Sequence, residues 1–528
     1  MTITTARLAR AVSHAWARAP GLPPGLPLAL VALLVAPAAH ADWAFVPTLT
    51  LRQTYTDNVA QQSDELARSQ LVTEISPGFE LKHQGPRLTV NARSGWQYYY
   101  MPDKDIAGTN RTSRYLQADA QAKLVDQLLY VDAMASRGQQ SISQFGQLNT
   151  GSNYASANRT EVATWRISPY LVHRFGSAAS SELRYTRDSV DAGRTGLGNT
   201  DGDTLSFSLN SGPAYRQLTW GLQLMEQKIH EQAANDSNVQ TASANLGYQV
   251  RPTLKLTAGL GYDNYDYESL GGANGGKAWN AGFAWTPSRR TSLTGTFGRR
   301  YYGPSRSLNA LHRSRHTNWS IVYDDSVQST RSNFLMPATI STADLLDGLF
   351  TPNYPDPIAR ARAIEAYMLA TNLPPSLDQS INYFSNRYSL QKQLRASVGF
   401  RQGRTNAMFS AFRVRRSALS VRETDSELLG SSSNSINDNT SQKGLSATLD
   451  YRLTGRTSLN LSSDILDNQS LSTGLQSRSS AVRFGMRHQL RAKLSATIDL
   501  RHVEGSTAIL GGRAYTENAI SASLSMQL

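Results

Sequence analysis

The side chains that could do chemistry in this 528-residue sequence are few in kind. It contains no cysteine, so no thiolate nucleophile or thiolate metal ligand can be built. No His-Glu-x-x-His places two imidazoles on one helix face, and Gly275-Gly276-Lys277 is followed by Ala278 where a phosphate loop needs Ser or Thr. His173, His230, His312, His316, His488 and His502 stand apart, most of them beside Arg or in turns. A Ser, His and Asp set could still be brought together from separate segments, because such sets are recognised by geometry rather than order. No spacing in the sequence singles one out, so no catalytic, cofactor-binding or metal-binding residue is assigned and no enzyme is expected.

The charged residues point to binding instead. The net charge is +13, and Arg7, Arg10 and Arg18 of the N-terminal segment supply part of it. A nucleic-acid binder would gather such an excess into a patch or arm. Here Arg and Lys are scattered at alternate positions among acids such as Asp119, Asp450 and Asp499, so no nucleic-acid partner is expected. On the wall of a channel the excess would favour anions, whether small ions or an acidic polysaccharide. Cross-strand pairing of Arg with Asp is the simpler account of most individual charges. Tyr98-Tyr99-Tyr100, Tyr262 with Tyr265 and Tyr267, and Tyr301-Tyr302 close successive segments. Their rings could stack on sugars, but anchoring at the lipid headgroup level explains them without a ligand.

The elements that must carry these residues have a period of two. Leu254, Leu256, Ala258, Leu260 and Tyr262 alternate with Lys255, Thr257, Gly259, Gly261 and Asp263. The same alternation runs through 116–124, 445–453 and 494–501, and it is the strand period. Leu256, Ala258 and Leu260 are expected to face lipid, with Thr257 and Gly259 toward the interior. Short junctions at 175–177, 251–253, 286–290 and 454–457 alternate with long polar ones at 143–161, 193–203, 268–277 and 422–442. Short turns on one side and long loops on the other mark an outer-membrane barrel rather than a soluble sandwich. The fold class expected is all-β, a transmembrane antiparallel barrel of about 22 strands and no fewer than about 18, with both termini on the periplasmic side. The last strand is read as Tyr515 to Leu528, with Ile520, Ala522, Leu524, Met526 and Leu528 on one face.

The first 41 residues have basic, apolar and small-residue parts in that order, ending Ala39-His40-Ala41, which is the form of a secretory signal peptide. Residues 42–528 would then be the barrel, placed in the cell outer membrane, and beyond Ala41 no apolar run reaches the roughly 18 residues of a membrane helix.

Residues 315–400 are the least regular part. Asn318–Tyr323, Val327–Leu335 and Gln391–Phe400 are read as strands. Between the last two, 337–381 forms a partly helical insert, capped by Asp356, opening at Pro357 and stopped by Pro374-Pro375. It either plugs the lumen or, more simply, packs as a loop on the rim.

Several phrases resemble the outer-membrane barrels associated with the PEP-CTERM and exosortase system. They are Tyr55-Thr56-Asp57-Asn58-Val59, Ile75-Ser76-Pro77-Gly78, Ile167-Ser168-Pro169-Tyr170, Arg174-Phe175-Gly176-Ser177, Trp285 to Leu293, and Thr330 to Leu335, in order along the chain. The resemblance implies a barrel beside an exopolysaccharide locus and carries no active-site residue with it. The function expected is assistance in export or surface assembly of exopolysaccharide, with outer-membrane lipid, polysaccharide and periplasmic export proteins as partners. A general anion-preferring pore or a structural barrel is the alternative.

Overall fold

The computed structural model describes residues 43–103, 106, 108–141, 143–147, 154–155, 158–192, 200–231, 236–267, 269–335, 388–421, 439–507 and 513–528. The alternating segments form 22 strands in a single sheet. The first eight are β1 (Trp43–Thr56), β2 (Gln70–Gln84), β3 (Leu88–Tyr100), β4 (Thr112–Val125), β5 (Leu129–Ser141), β6 (Arg159–Phe175), β7 (Ala179–Asp191) and β8 (Thr200–Ser211). The next eight are β9 (Leu218–Glu231), β10 (Ser237–Arg251), β11 (Leu254–Asp266), β12 (Gly275–Ser288), β13 (Thr291–Arg300), β14 (Gly303–Arg313), β15 (Thr317–Gln328) and β16 (Ser389–Gln402). Last come β17 (Thr405–Ala418), β18 (Asn439–Arg452), β19 (Thr457–Ser470), β20 (Gln476–Arg491), β21 (Leu494–Ser506) and β22 (Ala514–Gln527).

Each strand pairs antiparallel with its successor, and β1 pairs with β22 from Thr48 opposite Gln527 to Thr56 opposite Ala519. Closure leaves no sheet edge, so the ladder satisfies the backbone groups of the wall, which is the condition for crossing hydrocarbon. No helix among the described residues is long and apolar enough to do so.

Period two then sorts the side chains. Leu51, Trp96, Leu205, Leu246, Leu260, Trp279, Phe297, Ile321, Phe409, Leu445, Phe484 and Leu524 are all exposed and come from strands all round the barrel. Such a continuous apolar belt would be a severe liability in water and is what lipid requires. The alternate residues face inward and are mostly small, polar or charged, with an apolar cluster of Phe412, Val414 and Leu466 among them. The chain is an outer-membrane type β-barrel.

The connections at 85–87, 126–128, 252–253, 289–290, 403–404 and 492–493 lie at the end that also holds Trp43 and Gln527. The strand ends flanking 57–69, 142–158, 329–388 and 419–438 lie at the other. By the usual barrel orientation the first end is periplasmic. The outer end has one tight turn, Tyr301-Tyr302, between β13 and β14.

One expected strand is corrected. Val327–Leu335 does not continue the sheet: β15 runs through to Gln328 and pairs directly with β16, and Thr330–Leu335 forms a short helix, α1. Ser329 and Ser332 supply the reason. The Ser332 amide donates to Ser329 Oγ at 3.2 Å and the Ser329 amide to Ser332 Oγ at 3.0 Å, a reciprocal cap that turns the chain out of the sheet. The expected leader 1–41 and insert 337–381 lie outside the described residues.

Candidate functional site

The lumen is built from the inward phase of the strands, and its charges are unevenly paired. On the wall formed by β19 to β22 and β1 to β3, Arg52 lies 3.7 Å from Glu74 and Arg93 lies 3.4 Å from Glu80. Arg501 pairs with the fully buried Glu517, which also accepts from Thr56 Oγ1 at 2.9 Å and Gln61 Nε2 at 2.7 Å. Directly across the β20–β21 ladder from Arg501 stands Arg483. Like charges at opposed register positions repel, and Glu517 on Arg501, with Asp499 and Asp464 near Arg483, offsets part of that repulsion. Arg487, on the same face of β20 and nearer the periplasm, makes no hydrogen bond or ion pair among the described residues. Neither does the ammonium of Lys493, in the periplasmic turn after β20. Arg52, Arg483, Arg487, Lys493 and Arg501 line one continuous cavity with Glu74, Glu80 and Asp499, so cations outnumber carboxylates along it.

On β5 to β7, charges pair with one another. Arg184 donates through Nη1 to Asp132 at 2.9 Å and through Nε to Glu182 at 2.9 Å, while its guanidinium lies 3.8 Å from the centre of the Tyr170 ring. Tyr130 stacks on that ring at 5.2 Å. Further round, Arg300 holds Asp263 in a two-point pair at 2.8 and 2.6 Å. These pairings brace the wall, as expected for most of the charges.

Connections at the outer end fold inward over the lumen. After β5, Phe145 is fully buried, Gln144 accepts from Asn468 Nδ2 at 2.7 Å, and Gln147 donates to the Gln61 carbonyl at 2.9 Å. Tyr154 accepts from Arg501 at 3.2 Å and meets Tyr99 edge-on at 5.8 Å. With Val59, Ala60, Val72, Met101 and Ala155 they form an apolar cluster capping the basic strip. From the far side, α1 reaches across from β15 to β6 and β7. Arg331 pairs there with Asp188, both nearly fully buried, and Arg166 Nη2 donates to the Leu335 carbonyl at 2.8 Å. Gly202 on β8 makes this possible, since a side chain there would occupy the place of the Arg331 guanidinium.

A third contact closes the ring. Tyr388, just before β16, stacks on Tyr267 at 4.8 Å and its hydroxyl lies 2.9 Å from Ser237 Oγ. Burial pushes the phenols of Tyr267 and Tyr301, beside it, above their ordinary range, so both remain neutral.

The tyrosine clusters therefore divide. Tyr98, Tyr100 and Tyr262 are exposed on the outer face, where a girdle belongs. Tyr99 and Tyr265 point inward, because consecutive or odd-spaced residues of a strand cannot share a face. Their partners are other tyrosines: Tyr265 meets Tyr301 at 5.1 Å and Tyr388 at 6.2 Å. The histidines fall into local roles. His312 lies 2.9 Å from Thr291, His488 2.9 Å from Thr457, His230 2.8 Å from Asp236, and His316 3.1 Å from the Arg401 carbonyl. His502 meets Asn518 at 2.7 Å and His173 packs on Phe175.

Residue types alone did not reveal Arg331, Asp188, Tyr154, Tyr388 or the opposed Arg483 and Arg501. The last pair was within reach of a register argument, since both lie on the polar phase of neighbouring strands. The others depend on loops crossing the mouth.

No family model matches the chain, and no curated protein does. Among solved structures, the siderophore receptor PirA from Acinetobacter baumannii is similar over 93% of this chain and 81% of its own, at 9% identity and a TM-score of 0.48. A mutant of the ferric enterobactin receptor PfeA from Pseudomonas aeruginosa covers the same shares at 12% identity and 0.48. The FrpB iron transporter from Neisseria meningitidis covers 92% and 81%, at 9% and 0.48. Likeness at this level says nothing of what this chain binds.

Proposed function

We propose that the barrel is an outer-membrane passage that assists export or surface assembly of an exopolysaccharide, working with export proteins on its periplasmic side. The observation that carries this is the basic strip from Lys493 and Arg487 at the periplasmic end to Arg483 and Arg501 beneath the folded loops. A strip of successive cations, two of which, Arg487 and Lys493, make no ion pair among the described residues, offers individually weak sites to a chain of repeating units, which is what conduction requires. The resemblance to barrels of PEP-CTERM and exosortase systems supports the choice of polysaccharide. No reaction is assigned to the lumen.

A clean deletion of the gene is expected to lower surface exopolysaccharide and leave polymer or its precursors in the cell, with restoration by the intact gene. Unchanged amount and location of polymer would overturn the reading. The same cations favour a second reading, a general anion-preferring pore, and the two part on one measurement: purified acidic polysaccharide added to the periplasmic side of a planar bilayer should block ionic current only if the polymer enters the strip.

A further inference from the structure

Several outward-facing charges near the outer end of the barrel are paired, Arg137 with Glu161, Arg187 with Asp203 at 3.7 Å, and Lys228 with Glu226 at 3.7 Å, while Arg114, Lys277, Arg299 and Arg306 stand singly among the described residues. On strands β16 to β18 cations stand directly opposite one another. Lys392 stands opposite Arg415, and Arg413 stands opposite both Leu394 and Lys443, so four exposed cations form one patch on adjoining strands. None of the four has a hydrogen bond or ion pair among the described residues. Two carboxylates stand opposite them. Asp325, opposite Lys392, accepts from the Tyr323 hydroxyl at 2.7 Å, and Asp467, opposite Lys443, lies 3.5 Å from Arg478.

Directly beneath, on the same outer face, runs an apolar groove. Its floor is Ala396, Ala411 and Ala447, and its sides are Ile321, Phe409 and Leu445. Ala396 and Ala411 oppose each other two residues below Leu394 and Arg413, about 7 Å along the strands at the usual rise. Small residues between large ones leave a slot open to an acyl chain, and unpaired cations above it leave a place for phosphate.

We propose that the outer face of β15 to β18 is a binding site for one phosphorylated glycolipid of the outer leaflet, its phosphates on Lys392, Arg413, Arg415 and Lys443 and one acyl chain in the groove. The four cations suit a headgroup with two phosphates better than a single phosphodiester. The site is independent of what passes through the lumen and rests only on the membrane orientation.

The test is lipid retention by the full chain in detergent, read by native mass spectrometry, with diphosphoryl lipid A as the probe. The intact protein should hold one molecule. The triple variant Arg413→Gln, Arg415→Gln, Lys443→Gln should bind it roughly tenfold more weakly or worse. Ala411→Phe, which fills the groove and leaves the charges, should weaken binding as well. Arg137→Gln should not. Monophosphoryl lipid A should bind less tightly, and millimolar inorganic phosphate should not displace the lipid. Heat-modifiable migration on gels reports whether each variant is a folded barrel; if the triple variant is not, Arg413→Gln alone should still show a loss of about threefold. Equal retention by a folded charge variant, equal binding of the monophosphoryl lipid, or equal binding of phosphatidylglycerol would overturn the proposal.

Discussion

A guanidinium facing another guanidinium across a strand pair is held there by something outside the pair. Arg501 has Glu517 and Tyr154, and Arg483 opposite it has the carboxylates of Asp499 and Asp464 nearby; Arg487, four residues further toward the periplasm, makes no hydrogen bond or ion pair among the described residues. The field along this wall is therefore positive at the periplasmic end and partly cancelled under the loops. Reversing Arg487 breaks no described side-chain hydrogen bond or ion pair of the wall, because its guanidinium makes none. Arg487→Glu should lower the anion-to-cation permeability ratio at least about twofold, read as a reversal-potential shift under a salt gradient, and the shift should shrink as salt is raised. The same reversal at Arg184, tied to Asp132 and Glu182, would break the wall and report on folding instead. A reversal potential unchanged by Arg487→Glu would mean that ions do not pass along this strip.

At the scale of the strand, the sequence speaks through period two, and it speaks clearly wherever one face meets lipid. The phase expected for Leu256, Thr257, Ala258, Gly259 and Leu260 is the phase found, and the strand number and common side of the termini agree. Period two cannot say where a strand ends when polar capping residues follow apolar ones, which is why Val327–Leu335 read as a strand while Ser329 and Ser332 turned it into α1. It also cannot place a loop, so Tyr388 and Arg331, which reach their partners across the mouth, carried no periodic signal. Depth refines the lipid-face expectation. Leu260 is 71% exposed in mid-strand, whereas Leu256 is two residues from the periplasmic end. Leu260→Arg should cost about 2–4 kcal/mol and Leu256→Arg nearer to about 1 kcal/mol, because the penalty falls from midplane to interface. Thr257→Arg should be tolerated best, since Gly247 and Gly282 flank it on the neighbouring strands and leave room inside. Urea titrations of folding into vesicles measure all three, and equal losses at 257 and 260 would reverse the assigned faces.

A closed barrel of 22 strands encloses far more space than its own side chains fill, so what the whole molecule conducts depends on the chain folded into it. Two described attachments span that space from opposite sides: the segment after β5 on Asn468 and Arg501, and α1 on Asp188 and Arg166. The second is the more exposed to disruption, because one buried ion pair anchors a helix of only six residues. Removing one partner leaves the other charge buried and unpaired, which costs about 3–5 kcal/mol where no group takes its place. Arg331→Ala leaves Asp188 beside Arg166, which can take over part of the pairing, so its effect should be the smaller. Asp188→Ala leaves Arg331 facing Arg166 with no carboxylate between them, and like charges then drive α1 from the wall. Single-channel conductance in planar bilayers should therefore rise in the order native, Arg331→Ala, Asp188→Ala. The double variant should fall below Asp188→Ala, because it removes the repulsion along with the attraction. Identical conductance in all four proteins would show that α1 does not narrow the conducting path, and the constriction would then belong to the segment after β5.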